Sequence, residues 1–227
     1  PLSILAALLL ALAAFTGGGS QDRGWGDAFT QLLAWPVLLL AAWQLASTSA
    51  PRARAWLVAL AAAVPLALAL QWLTGLSLAP WATERSLWSV LPAVAIFLAA
   101  LALPPRELQR LAWLFVALAS FSLVLGYLQL GAPQDSPLNP FPQWSPALNG
   151  LYANPNHQAT SIALALVIVL AWLLQGDPAE RDGRWWASRI AVGGLGLFLL
   201  VGLPLTGSRG AMLAAVAGLL LVPVANG

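Results

Sequence analysis

The feature that most restricts this chain is the spacing of its charges. Asp, Glu, Lys and Arg are missing from eight stretches: 1–21, 28–51, 55–83, 86–105, 111–134, 136–176, 190–208 and 210–227. Each is about 18 residues or longer, enough to cross the hydrocarbon core of a bilayer as a helix. Only 136–176 is too long for one helix. The segment leading into it, Gly131 to Gly150, carries five prolines and reads as a loop. The pattern predicts helices at roughly 1–16, 29–46, 55–73, 88–103, 111–130, 156–175, 188–204 and 209–225. No stretch alternates with period two, which counts against a β-barrel. The expected fold is all-α: a polytopic transmembrane helix bundle of about eight spans. It forms one domain over 1–227, with a proline-rich outer loop at 131–155.

Composition agrees. Of 227 residues, 60% are apolar and 8% charged, against about 25% charged in a typical soluble domain. The mean hydropathy is +0.81. Such a chain cannot cover a folded surface with polar groups, and it is too apolar for disorder. There is no cysteine and no lysine, so disulfides, thiolate zinc sites, Schiff bases and a P-loop are all excluded. A net charge of +2 is too small to point to nucleic acid.

Tryptophan and arginine add topology. Trp25, Trp43, Trp56, Trp72, Trp81, Trp88, Trp113, Trp172, Trp185 and Trp186 lie near predicted span ends, as an interfacial belt requires. One set of alternate loops holds Arg52, Arg54, Arg106, Arg110, Arg181, Arg184 and Arg189; the other holds Arg23, Arg85 and Arg209. The positive-inside rule puts the first set in the cytoplasm. The loops at 17–28, 74–87, 131–155 and 205–209 then face outward. The outer carboxylates Asp22, Asp27, Glu84 and Asp135 share no spacing and read as solvated. With Phe141 and Trp144 the proline-rich loop reads as a plain connector, with a lid or a partner surface as alternatives. No metal-ligand pattern is present.

Two polar motifs lie on the outer side. Asn154-Pro155-Asn156-His157-Gln158 opens the sixth helix. Asn is a favoured N-cap and Pro a favoured first helical residue. Capping accounts for Asn154 and Pro155, but not for Asn156, His157 and Gln158 in succession. His157 is the only histidine; it is either an interfacial side chain or a ligand group. Thr206-Gly207-Ser208-Arg209-Gly210 opens the eighth helix. Its glycines permit close backbone approach, Ser208 is a cap, and Arg209 adds a fork suited to phosphate. A lone arginine at a membrane boundary can be a snorkelling anchor, yet this one is on the side where anchors are rare. Both helices run inward from the outer face, so their positive dipole ends can converge on one anionic group.

GLYANPNHQAT opening one helix, then LTGSRGAMLA about fifty residues later opening another, resembles the O-antigen ligase superfamily. That group includes O-antigen ligases, O-antigen polymerases and bacterial protein O-oligosaccharyltransferases. The resemblance implies a GT-C-like helical fold in the bacterial inner membrane. It also implies transfer of a glycan from undecaprenyl pyrophosphate on the periplasmic face, with no cofactor and no essential metal. Acceptors in the group are lipid A-core, a growing glycan or a protein. Arg209 is the position implicated in holding the donor pyrophosphate. Ser208, Gly207, His157, Asn156 and Asn154 are the accompanying substrate-binding positions. The match covers about the first half to two thirds of a member, so the family's catalytic histidine is expected beyond residue 227. Residue 1 is a proline inside an apolar run and the last residues are apolar too. The chain is therefore expected to be a piece of a longer protein, truncated at both ends. Two alternatives stand beside this reading. A transporter or flippase of lipid-linked or anionic solutes calls for ionisable groups at mid-span, and none is there. A non-catalytic scaffold explains the anchors but not two polar helix starts on one face.

Overall fold

A computed structural model of the chain describes residues 1–17, 24–48, 52–133, 135–139, 148–175 and 183–226. The positions Asp22, Arg23, Phe141, Trp144 and Arg181 lie outside the described residues. Eight helices and no strands are found among those described: α1 Leu2–Phe15, α2 Gly24–Ser47, α3 Arg52–Leu73, α4 Pro80–Ala102, α5 Pro105–Leu130, α6 Pro155–Leu174, α7 Gly183–Leu205 and α8 Arg209–Asn226. The six from α2 to α7 are long and apolar enough to cross a membrane; α1 and the described part of α8 are shorter apolar helices. The eight expected helices are present among the described residues, six of them long enough to span and the first and last shorter. The protein is a multi-pass membrane protein.

Helices α2, α4, α5 and α7 begin five to eight residues before the starts expected from charge-free runs. The reason is physical. A charged side chain ends the hydrocarbon-compatible segment but does not end the helix. The added turns carry Asp27, Glu84, Arg85, Arg106, Glu107, Arg110 and Arg184, long or polar side chains that can reach water beyond the apolar span. Pro80 and Pro105 occupy the first positions of α4 and α5, where a missing N–H costs nothing. Pro36, Pro65, Pro92 and Pro204 sit inside helices, as membrane spans tolerate.

The chain divides into two compact units, Pro1–Leu111 and Ala112–Gly227. In the first, α2 and α4 pack together, α1 packs on both, and α3 lies against α4. Ala6, Ala34, Val37, Ala41, Ala95 and Ala99 are almost wholly buried there; these small side chains let helices approach closely without a hydrophobic drive from lipid. The most apolar stretch of α3 has no buried residue. In the second unit α6 is the central helix, packed on α7 and α8. Its core contains Leu123, Leu148, Ile162, Val169 and Leu199.

Candidate functional site

Close glycine contacts set the direction of each helix in the second unit. A Cβ on Gly218 of α8 would meet Val167 of α6 at 2.6 Å. One on Gly196 of α7 would meet Val169 of α6 at 3.1 Å, and one on Gly202 would meet Leu123 of α5 at 2.5 Å. The Leu148 N–H donates to the Leu205 carbonyl at 3.4 Å, tying the segment before α6 to the last residue of α7. Together with Trp113 of α5 against Trp172 near the end of α6 and Ser122 of α5 against Gln158 near its start, these contacts make α6 parallel to α8 and antiparallel to both α5 and α7. The ends of α5 and α7 and the starts of α6 and α8 therefore share one end of the unit. Both polar motifs are there.

At the start of α6, Asn154 is the N-cap in extended conformation and its side chain accepts from the Asn156 N–H at 2.8 Å. Pro155 follows and has no N–H. The His157 and Gln158 N–H groups both reach the Asn154 carbonyl, at 3.0 and 3.3 Å. Every backbone N–H of this first turn is spent within the turn. What α6 offers outward is side chains: Asn154, Asn156 and His157 are exposed, whereas Gln158 is fully buried.

The α7–α8 junction is different. Thr206 and Gly207 close α7 by donating to the Leu203 and Pro204 carbonyls, at 3.2 and 3.0 Å. Gly207 has φ +71°, a left-handed geometry that glycine adopts without strain. Buried Thr206 donates its hydroxyl to the Leu203 carbonyl at 2.7 Å and accepts from the Ser208 N–H at 3.3 Å. Ser208 caps α8: its hydroxyl accepts from the Ala211 N–H at 3.4 Å and its carbonyl from the Met212 N–H at 3.2 Å. Among the described residues, the Arg209 and Gly210 N–H groups have no acceptor, and the Arg209 side chain, which is exposed, has no hydrogen-bond or ion-pair partner. A Cβ on Gly207 or Gly210 would meet nothing within 4 Å. The start of α8 thus presents two free backbone donors and a free guanidinium in open space, the arrangement that binds an anion.

Of the six sequence-predicted positions, Asn154 and Ser208 act as caps, Gly207 makes the turn, and Asn156, His157 and Arg209 face outward. Among the described residues no hydrogen bond joins the side chains of one motif to those of the other. Their link is the backbone bond from Leu148 to Leu205.

That link belongs to a buried polar cluster that sequence reasoning missed. Gln129 of α5 accepts from the Gly150 N–H at 2.9 Å and donates to the Gly150 and Leu138 carbonyls, both at 2.8 Å. Ser122, two turns earlier, accepts from the Leu151 N–H at 2.8 Å and donates to Gln158 Oε1 at 2.5 Å. Gly150 has φ +61°, and a Cβ there would lie 2.2 Å from the Ser122 carbonyl oxygen. Asn149 Oδ1 and Gln158 Nε2 are buried without partners among the described residues. The seven-residue spacing of Ser122 and Gln129 on an apolar helix was the available signal, since it puts both on one face. Burial raises the Tyr152 phenol above its ordinary value, and a hydrogen bond with Ser161 partly offsets this.

No group of three or more His, Cys, Asp or Glu side chains that could hold a metal is found among the described residues. Comparison with family models, with curated proteins and with solved structures finds no match to this chain.

Proposed function

We propose that this protein is a membrane glycosyltransferase, of GT-C-like architecture, that takes a glycan from undecaprenyl pyrophosphate on the periplasmic face of a bacterial inner membrane. The acceptor is a lipid A-core, a growing glycan or a protein. The observation that carries this reading is the open start of α8, where Arg209 and two backbone N–H groups are unspent at a membrane-protein helix terminus. The motif resemblance supplies the donor class.

In the proposed reaction the bond from the anomeric carbon to the pyrophosphate oxygen breaks. A bond from that carbon to the acceptor hydroxyl oxygen forms, and the hydroxyl proton passes to a base. Undecaprenyl pyrophosphate leaves with one more negative charge, on the terminal phosphate oxygen that was bonded to the anomeric carbon. Arg209 and the α8 N–H groups are placed to stabilise that charge, a role worth about 3–4 kcal/mol per donor in other enzymes. The exposed side chains of Asn156 and His157 extend the polar surface at the same end of the unit. All charged residues of the six long helices lie within about the first two turns of their helix, which leaves the transporter alternative without a mid-span ionisable group.

The test is glycan transfer by Arg209→Ala in the protein as its gene encodes it. Transfer falls by about a hundredfold or more while folded protein is retained, and Arg209→Lys restores only part because an ammonium lacks the planar fork. Transfer at the wild-type rate by the alanine variant overturns the reading.

A further inference from the structure

The segment from Leu148 to Tyr152 is fastened on two sides. Towards α5 it is held by Gln129, whose amide oxygen and nitrogen are both spent on loop backbone, and by Ser122. Towards α7 it is held by the Leu148 N–H on the Leu205 carbonyl. Leu148 is fully buried, and a Cβ on Gly126 of α5 would lie 2.5 Å from its Cδ2. Ser122 extends the connection into α6 through Gln158. Leu205 adjoins the turn that opens α8, and Tyr152 lies two residues before the cap of α6. One strut therefore runs from α5 through the loop to both helix starts.

Stability alone does not call for this chemistry. Ser122, Gln129, Asn149 and Gln158 are 0–5% exposed, and two of their polar atoms are unpartnered among the described residues. Each such atom costs about 1–3 kcal/mol, and apolar side chains of the same shape would fill the space without that cost. What a directional polar network adds is a single allowed geometry, because its bonds are met in one register only.

We propose that Gln129, Ser122 and Gln158 are positioning residues: they fix the start of α6 against the α7–α8 turn and so set the spacing between Asn156, His157 and the open start of α8. A pyrophosphate presents two phosphate groups, one for each start, whereas a single phosphate is held by α8 alone. This rests on the reading of Arg209 as an anion ligand.

The experiment uses the whole protein in nanodiscs with two probes, farnesyl pyrophosphate and inorganic phosphate. Amide exchange of residues 148–152 is followed alongside. In Gln129→Leu and Ser122→Ala, exchange at Gly150 and Leu151 accelerates. Affinity for farnesyl pyrophosphate falls about tenfold, equivalent to 1.4 kcal/mol, and phosphate affinity is unchanged. Ser122→Ala removes a single atom and serves where Gln129→Leu does not fold. Equal losses for both probes, or accelerated exchange with no loss for farnesyl pyrophosphate, overturn the positioning role; so does unchanged exchange. Arg209→Ala weakens both probes and leaves exchange as in the wild type. If Arg209→Ala keeps full affinity for both, the anion-ligand reading fails and the positioning role, which rests on it, falls with it. If Arg209→Ala loses both while the clamp variants bind farnesyl pyrophosphate normally, the positioning role fails alone.

Discussion

Two arginines near the starts of consecutive helices of the same unit could hardly be used more differently. Arg189, in the second turn of α7, donates to the Leu173 and Gln175 carbonyls at the end of α6. Its guanidinium also stacks on Trp172 at 5.2 Å and Trp185 at 4.5 Å. Trp172 in turn meets Trp113 edge-on at 5.8 Å. The charge is matched to a helix C-terminus, where the dipole is negative, and to two aromatic faces. Arg209 opens α8 at the other end of the unit and has no partner among the described residues. Its charge is set at a helix N-terminus, where the dipole already is positive. An unpaired cation placed against the dipole is stabilised by neither and is available to an anion. The difference separates a residue that holds the fold from one that waits for a ligand, and neither role follows from the residue type.

The largest effect that tests this contrast is the loss of transfer in Arg209→Ala, with stability within about 0.5 kcal/mol of the wild type. The next falls on the strut that carries the open end. Gly150→Ala forces a Cβ to 2.2 Å from the Ser122 carbonyl oxygen in a left-handed residue. The expected loss is about 3 kcal/mol or more, read as a lowered Tm in detergent, with Gly207→Ala costing only the left-handed backbone strain of about 1–2 kcal/mol, because its Cβ meets open space. A Gly150→Ala protein as stable as the wild type would mean that the loop is not clamped as described. Arg189→Ala comes third. It removes two charge-assisted hydrogen bonds and two ring contacts, for about 2 kcal/mol, and leaves binding of pyrophosphate by the folded fraction unchanged. Were Arg189→Ala to abolish binding at full stability, the assignment of the two arginines would be reversed.

Much of this fold was legible because lipid punishes charge. The charge-free stretches located all eight helices found among the described residues, and Asn154-Pro155 marked the start of α6 to the residue. The same criterion misplaced four other starts, because it reads the hydrocarbon boundary and not the hydrogen-bond ladder. Pro80 and Pro105 were better start signals. At the site, the caps Asn154 and Ser208 were legible because their chemistry is local. Which N–H groups remain free was not. It depends on the 3.0 Å bond from His157 to Asn154, which exhausts α6, and on the single hydroxyl of Ser208, which leaves two donors of α8 unspent. Ser122 and Gln129 belong to no sequence motif; their partners lie in the distant loop from Leu148 to Tyr152.

The smallest effect concerns Tyr152, which is on the motif end of the unit but on the closed side of the contrast. Burial holds its phenol above the ordinary value and the Ser161 hydrogen bond only partly offsets this. The folded state then keeps the proton in a range where the unfolded chain has lost it. Folding binds protons there, so stability falls as pH rises past the usual phenol value of about 10 and is unaffected below it. Tyr152→Phe has no proton to lose, and its stability declines less steeply above that pH. Parallel unfolding curves for the two proteins from neutral to alkaline pH are the measurement. Identical alkaline slopes would place the Tyr152 hydroxyl in water, and the closed side of the motif end would then be smaller than the buried cluster implies.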